Sequence, residues 1–210
     1  MKFYNLVLLI LTVCVSISCQ SVNLTDVPRE GTVTLPDKII LDVVLISQND
    51  TYSCATTSAA MAISYFENRN NNPLDKDEVW EISKTSKSAV HCCDNDMDGL
   101  KRIADHYGYE SEYTEDLSVC ELEYLLSRGI LTVINLRQKA DSNATHAFLP
   151  VGYDRVDKYF YVNDPGDTAG GAKISYSRLQ SLWSAYLSSP SGMSNKSGFI
   201  IYPRSQVINK

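Results

Sequence analysis

The sequence predicts an α+β domain, with helices in the first half of the chain and an antiparallel sheet in the second. Two patterns support this prediction. Apolar residues recur at helical spacing as far as Gly129, and short β-rich segments separated by turn residues follow from Ile130. The 210 residues are 44% apolar and 21% charged, which suits one well-buried core and is short for two. No internal repeat or low-complexity linker divides the chain, so one domain is expected.

Four helices are expected in the first half, at residues 54–66, 75–82, 96–108 and 118–129. The first is rich in Ala. The second and fourth begin with a capping residue followed three positions later by Glu, and the third and fourth end at Gly.

Strands are expected at residues 39–46, 130–136, 146–153, 158–163, 173–176 and 199–202, with one short helix at 177–183. The first of these segments is apolar and β-branched, which indicates either a strand or an extended segment leading to Gln48. Helices followed by antiparallel strands complete the α+β prediction.

The N-terminal 19 residues have the pattern of a secretory signal: Lys2, an apolar run from Leu6 to Val15, and small residues before Cys19. The apolar run is too short to span a membrane comfortably. Its end resembles a loose bacterial lipobox, so lipidation of Cys19 and simple cleavage both stay open. Residues 20–36 are polar and predict a flexible arm, and residues 37–210 are expected to form the domain.

Removal of the signal takes away one Lys and no acidic residue, so 18 basic and 25 acidic residues remain and the formal charge is −7. Such a surface repels phosphate backbones, and no nucleic-acid partner is expected. Glycosylation sequons begin at Asn23, Asn49 and Asn143, and glycans on the last two would obstruct Gln48 and His146, two candidate site residues. A bacterial exported protein, in the envelope or secreted, is therefore favoured, and it is expected to be a monomer.

Cys54 stands where a loop rich in turn formers gives way to the Ala-rich helix. Unpaired N–H groups and the positive end of the macrodipole favour a thiolate in the first turn of a helix. Because the thiolate is the nucleophilic form, Cys54 is a candidate nucleophile. Taken alone, it is better interpreted as a buried structural residue, and the residues later in the chain change that interpretation. Gln48, six residues earlier, can supply an N–H donor to a developing oxyanion.

His146 opens a predicted strand, and Asp164 closes the strand that returns after a hairpin-sized connection. If Tyr153 pairs with Lys158, a one-residue bulge brings Asp164 opposite His146, and opposed residues share a face of the sheet. The carboxylate then binds one imidazole nitrogen and leaves the other for a thiol. Cys, His and Asp in this order are the nucleophile, base and orienting residue of a papain-like site.

These motifs together resemble the C39-like cysteine peptidases, a papain-like group that includes the bacteriocin-processing peptidase domains of some transporters. The matching motifs are Gln48 with Cys54, the helix 100–107 with Gly108, the strand from His146 to Asp154, and Asp164-Pro165. The resemblance implies a papain-like fold in which Gln48 donates to the oxyanion, Cys54 attacks, His146 is the base and Asp164 orients it. The chain departs from the family at Ala55, where the family usually has Gly.

Two metal candidates compete poorly with simpler interpretations. The acidic run 94–105 matches part of a calcium loop, but it overlaps a predicted helix and is explained by acidic helix capping. Residues 91–93 with Cys120 fit no closed zinc site, so no metal or cofactor is expected. One of Cys92 and Cys93 is instead expected to form a disulfide with Cys120, which leaves one thiol over.

The sequence therefore predicts an exported thiol peptidase that acts on peptides or proteins through Cys54, His146 and Asp164, assisted by Gln48. Two alternatives stay open: a peptide-binding module that no longer cleaves, and an acyl or γ-glutamyl transferase that uses the same residues. The complete set of four residues favours an enzyme, because a pure binding role needs none of them together. Hydrolysis and transfer are not separated by the sequence.

Overall fold

The computed structural model describes residues 34–83, 97–115, 117–139, 145–183 and 196–205. The predicted signal, most of the predicted arm, the pair Cys92–Cys93 and the start of the acidic run lie outside these ranges, so those predictions are not tested. None of the described helices is both long and apolar enough to cross a membrane.

Within the described ranges the chain forms five helices, and all of the predicted helices are among them. They are α1 (Cys54–Phe66), α2 (Lys76–Ser83), α3 (Met97–His106), α4 (Val119–Ser127) and α5 (Tyr176–Trp183). The predicted capping box of α4 is complete: Ser118 Oγ accepts the Glu121 N–H at 3.1 Å, and Glu121 Oε2 accepts the Ser118 N–H at 2.7 Å. Gly108 and Gly129 end α3 and α4 with φ values of +80° and +70°.

Seven strands of the described ranges form one antiparallel sheet. They are β1 (Lys38–Ile40), β2 (Tyr109–Thr114), β3 (Leu131–Arg137), β4 (Thr145–Asp154), β5 (Tyr159–Asn163), β6 (Ala172–Ser175) and β7 (Gly198–Pro203). The order is β2-β7-β3-β4-β5-β6, and β1 pairs with the far end of β4. The long strand β4 therefore pairs with β3, β5 and β1, and it begins at the residue before His146.

Strand β2 corrects the expectation that residues 54–129 contain helices and no strand. It lies at the edge of the sheet and pairs with β7. Four of its six residues are polar or charged, and the side chains of the other two, Tyr109 and Tyr113, pack against the core. Edge strands tolerate such polar sequences, which is why no apolar run marks this strand.

The segment predicted as a strand at 39–46 pairs with the sheet only over Lys38–Ile40. Leu41 donates one more backbone hydrogen bond, to Val151 O at 2.8 Å, and residues 41–48 then form neither helix nor strand. The second of the two interpretations, an extended segment leading to Gln48, therefore describes most of this stretch.

The β4–β5 hairpin forms two residues out of the predicted register. Tyr153 pairs with Phe160 and not with Lys158. Residues 155–158 make a four-residue turn, because Asp154 Oδ1 accepts two of its N–H groups at 3.2 and 3.0 Å and Lys158 adopts a left-handed φ of +57°.

The core lies between α1 and the centre of the sheet. Helix α1 is buried from Cys54 to Ser64 and packs against β3 and β4. Met61 and Ile63 of α1 are fully buried, as are Tyr153 of β4 and Phe160 of β5. Since α1 packs on the strand that carries His146, the first turn of the helix is held beside that strand.

Candidate active site

Cys54 is the first residue of α1 and is almost completely buried, with 1% of its surface exposed. The first intrahelical hydrogen bond runs from the Thr57 N–H to Ser53 O at 2.8 Å. Ser53 occupies the N-cap position, but its side chain caps no N–H group of the helix. The positive end of the helix macrodipole therefore lies beside the Cys54 thiol.

His146 and Asp164 are in direct contact. His146 Nε2 lies 2.5 Å from Asp164 Oδ1, and the Cys54 thiol is the second hydrogen-bond partner of the imidazole. Because Nε2 is engaged by the carboxylate, Nδ1 is the ring nitrogen left for the thiol. The structure thus brings Cys54, His146 and Asp164 together in one chain of hydrogen bonds.

The contact is made by a turn and not by opposed strand residues as predicted. A bulge between Pro150 and Gly152 shifts the β4–β5 register, and the last pair is Leu149 with Asn163. Asp164 follows as the first residue of a β-turn closed by the Asp167 N–H to Asp164 O at 2.9 Å. The turn directs the Asp164 carboxylate toward the first residues of β4. Asp164 and His146 are therefore neighbours as predicted, although the predicted strand register is wrong.

Gly166 makes this close approach possible. Its N–H donates to Asp164 Oδ1 at 2.7 Å, so one carboxylate oxygen accepts from both Gly166 and His146. A Cβ at position 166 would lie 3.2 Å from that oxygen and 3.5 Å from His146 Nε2. Any larger residue at position 166 would therefore press on the hydrogen bond between His146 and Asp164.

Phe148 supports the imidazole from the side. It lies two residues after His146 on β4 and therefore on the same face of the strand. The two rings meet edge to face, with centroids 4.7 Å apart and an interplanar angle of 86°. Neither Phe148 nor Gly166 is among the predicted site residues, although the two-residue spacing from His146 is a signal for Phe148.

The pKa of His146 reflects two opposing effects. Burial disfavours the charged ring and works to lower the pKa, but the hydrogen bonds to Asp164 and Cys54 and the charges of both groups outweigh it. The pKa of His146 is raised from 6.5 to about 9. Near neutral pH the ring is therefore an imidazolium, which stabilises a thiolate on Cys54 in turn.

Gln48 is held at the same turn as Asp164. Its backbone N–H donates to Pro165 O at 2.8 Å, and its side-chain Nε2 donates to Asp50 O at 2.7 Å. Its Oε1 is buried and has no hydrogen-bond partner among the described residues. Because an amide nitrogen carries two hydrogens, one remains for a further acceptor.

No group of three or more His, Cys, Asp or Glu side chains in the described ranges is arranged to hold a metal ion. The zinc candidates at residues 91–93 lie outside those ranges, as does the start of the acidic run. Cys120 lies in the first turn of α4 and is half-buried. Its predicted disulfide with Cys92 or Cys93 stays a prediction.

A cysteine at the start of a buried helix, a His on a strand of an antiparallel sheet and an Asp in the turn after the neighbouring strand match the arrangement of papain-like cysteine peptidases. The model of the Peptidase_C39 like family matches residues 40–189. The chain therefore belongs to this family, as its resemblance to the C39-like peptidases predicted.

Solved structures agree on the fold. A Bacillus anthracis protein assigned as a C39-like peptidase is 17% identical with a TM-score of 0.60, and the match covers 80% of this chain and 99% of that one. Xylellain, a cysteine protease from Xylella fastidiosa, is 13% identical with a TM-score of 0.55, over 81% and 87% of the two chains. The peptidase domain of Streptococcus ComA, a bifunctional ABC transporter, is 16% identical with a TM-score of 0.51, over 77% and 99%. A search of curated protein sequences gave no significant match.

Proposed function

We propose that this protein is an exported cysteine peptidase that hydrolyses peptide bonds with Cys54 as nucleophile, His146 as base and acid, and Asp164 as the residue that orients His146. One observation carries the proposal: His146 is hydrogen-bonded to Asp164 through Nε2 and to the Cys54 thiol through its other nitrogen. Membership of the Peptidase_C39 like family supports it.

The reaction follows from these contacts. The Cys54 thiolate adds to the carbonyl carbon of the scissile bond, and the carbonyl π electrons move to the oxygen. The His146 imidazolium then gives its proton to the leaving amine as the C–N bond breaks, which produces an acyl-enzyme. Neutral His146 next takes a proton from water, whose oxygen attacks the thioester, and the thiolate leaves with the imidazolium restored.

Gln48 is proposed as the donor that stabilises the oxygen anion. Its backbone is fixed on Pro165 O, and one of its two amide hydrogens is engaged by Asp50 O. The other hydrogen, together with N–H groups of the first turn of α1, can donate to the oxyanion. Loss of one side-chain oxyanion donor costs about 100- to 1,000-fold in kcat in a serine protease.

The proposed substrate is a peptide or protein, and the proposed location is the bacterial envelope or the extracellular medium. The net negative charge makes nucleic acid an unfavourable partner. We expect a mature N-terminus at or beside Cys19, and release of the protein from membranes by Cys19→Ser if this residue is lipidated. Retention of the whole signal on the mature chain, detected by mass spectrometry, would refute the export proposal.

The decisive experiment is incubation of the mature protein with a diverse peptide library and identification of the products by mass spectrometry. Hydrolysis by the wild type and none by Cys54→Ala supports the peptidase. Binding of peptides without cleavage by either protein identifies a binding module. Transfer of the acyl group to an added amine, in preference to water, identifies a transferase that uses the same residues.

Alkylation by iodoacetamide tests the nucleophile without any substrate. Cys54 is almost completely buried, so exposure alone predicts slower labelling than that of a fully exposed thiol such as glutathione. Ionisation predicts the opposite order near neutral pH, because the thiolate is the reactive form. A labelling rate of Cys54, located by peptide mapping, that is no higher than the rate of glutathione would contradict the assignment of Cys54.

A further inference from the structure

The loop from Gln48 to Ser53, which joins the proposed oxyanion donor to the nucleophile, is organised by one side chain that the proposed mechanism does not use. Asp50 Oδ1 accepts the N–H groups of Tyr52 and Ser53 at 2.9 and 2.8 Å, and Asp50 Oδ2 accepts the Ser53 hydroxyl at 2.8 Å. The carbonyl oxygen of the same residue accepts Gln48 Nε2 at 2.7 Å. Both ends of the loop therefore converge on Asp50.

Asp50 is suited to hold this geometry as a carboxylate. Its side chain is 17% exposed, and Lys76 Nζ lies 3.9 Å from Oδ2. Burial works to raise the pKa of Asp50, but the N–H and hydroxyl donors and the charge of Lys76 outweigh it, so the pKa is lowered. The group keeps its charge, and with it the ability to accept every one of these hydrogen bonds.

The bond to Ser53 has a consequence for α1. A Ser at an N-cap position ordinarily accepts an N–H of the first turn. Here its hydroxyl is oriented toward Asp50, to which it donates, its oxygen accepts the Thr57 hydroxyl at 3.3 Å, and it caps no N–H group of the helix. The Ser53 side chain therefore does not occupy the N–H groups of the first turn of α1, which begins at Cys54.

We propose that Asp50 is a positioning residue of the oxyanion site: its carboxylate holds the loop whose carbonyl at position 50 accepts the amide of Gln48, and it orients the Ser53 hydroxyl away from the N–H groups of the first turn of α1. It acts through these groups and does not contact the substrate. The inference rests on the proposed function, since it presumes that a tetrahedral oxyanion forms at Cys54. The competing explanation is that Asp50 only stabilises the folded loop.

The two explanations are separated by two reagents that react with the same thiol. A peptide aldehyde, acetyl-Phe-glycinal, accepts the Cys54 sulfur at its carbonyl carbon. The C=O π electrons move to the oxygen and a proton follows from His146, so the hemithioacetal places its oxygen where the oxyanion forms. Iodoacetamide is attacked at a saturated carbon with loss of iodide and develops no oxyanion.

Asp50→Asn is the test variant, because it preserves the size of the side chain and one acceptor oxygen while removing the charge and the acceptor for the Ser53 hydroxyl. Asp77→Asn is the matched control. Asp77 also lies beside Lys76, with Nζ to Oδ1 at 2.5 Å, but it is 80% exposed and bonds to no residue of the loop. Both variants lose one negative charge at the same lysine.

For Asp50→Asn we expect aldehyde affinity to fall at least about 10-fold and iodoacetamide alkylation of Cys54 to change by less than about 3-fold. Asp77→Asn is expected to match the wild type with both reagents. Gln48→Ala is expected to weaken the aldehyde as well, and the double variant Gln48→Ala, Asp50→Asn to lose clearly less than the product of the two single losses.

Equal losses with both reagents, or wild-type behaviour of Asp50→Asn with both, would overturn the positioning role. A multiplicative loss in the double variant would overturn it as well. Failure of the peptidase proposal gives results that differ from those that overturn the role of Asp50. A wild type that forms the aldehyde adduct but cleaves no library peptide refutes hydrolysis and still permits the Asp50 comparison, whereas a wild type that forms no adduct overturns both. Thermal unfolding of each variant accompanies the measurements.

Discussion

Asp164→Asn and Asp164→Ala separate the charge of this carboxylate from its hydrogen bonds. Asn keeps an Oδ1 that can accept from His146 Nε2 and from the Gly166 N–H, the two donors that meet at this oxygen. It carries no charge. Ala removes the acceptor as well. We therefore expect Asn to lower the pKa of His146 with the ring still in place, and Ala to lower the pKa and release the ring.

The magnitude follows from the pKa of His146. Burial lowers it, yet Asp164 and Cys54 raise it from 6.5 to about 9, a net preference of about 3 kcal/mol for the imidazolium. An opposite charge in contact is worth about 1 to 3 pH units in a pKa. The imidazolium is the proposed proton donor to the leaving amine, so activity is present below this pKa and is lost as the pH rises through it. We expect the alkaline limb of kcat/KM, near pH 9 in the wild type, to move down by about 1 to 2 pH units in both variants.

The assay is the pH profile of kcat/KM on a peptide taken from the library screen. At neutral pH Asp164→Ala is expected to lose about 10- to 1,000-fold in kcat and Asp164→Asn clearly less, because only Ala releases the ring. Asp105→Asn is a suitable control, since Asp105 is half-exposed and pairs with Lys101 away from the site. An alkaline limb that stays in place in both variants would refute the role of the Asp164 charge. A kcat for Asp164→Ala equal to that of Asp164→Asn would refute orientation through the hydrogen bond.

Three further substitutions test the fold and the site. Ser118→Ala removes the capping box of α4 and should cost about 1 kcal/mol of unfolding free energy in a denaturant titration, and a change of only a few tenths would contradict the capping role. Gly152→Ala places a Cβ 2.3 Å from the backbone oxygen of Ile39, so β1 must separate from β4 at a cost of about 1 to 3 kcal/mol, and an unchanged melting temperature would exclude this contact. Gly166→Ala places a Cβ 3.2 Å from Asp164 Oδ1 and should lower kcat/KM about 10-fold with little loss of stability, whereas a loss of stability alone would mean that position 166 supports the fold and not the site.

The helices were the most predictable part of the fold, because their signals are local. Ser118 and Glu121 specify the start of α4 within four residues, and Gly108 and Gly129 stop α3 and α4 by adopting positive φ. Each of these residues acts on neighbours in the sequence. Local sequence patterns are therefore sufficient to predict where these helices begin and end.

Strand pairing depends on partners far along the chain, and there the prediction failed in part. The register of the β4–β5 hairpin is set by its turn, where Asp154 binds two N–H groups and Lys158 takes a left-handed conformation. A periodic pattern does not reveal how many residues such a turn holds. Strand β2 was missed for a related reason, since only its pairing with β7 compensates for its polar residues.

The predicted site residues lie together, although the predicted route between two of them was wrong. Cys, His and Asp were recognisable because the chemistry of a thiol nucleophile requires these residue types in this order. Asp50, Phe148 and Gly166 were not recognised. Phe148 could have been found from its two-residue spacing from His146. Asp50 accepts the Gln48 amide through its backbone carbonyl, and Gly166 leaves room beside Asp164 because it has no side chain, so neither is marked by a pattern in the sequence.

The extended segment 41–48 connects Gln48 to the part of the structure that carries His146 and Asp164, although the segment itself is neither helix nor strand. Four hydrogen bonds attach the segment to β4, β5 and the turn: Leu41 N–H to Val151 O at 2.8 Å, Asn163 Nδ2 to Val43 O at 2.9 Å, Ser47 Oγ to Asp167 O at 2.6 Å, and Gln48 N–H to Pro165 O at 2.8 Å. Two of them come from side chains, so they hold only where Ser and Asn stand at those positions. Gln48 and Asp164 consequently share one support although they are far apart in the sequence. A displacement of the turn would move Gln48, the proposed oxyanion donor, and Asp164, the proposed orienting residue, together relative to Cys54.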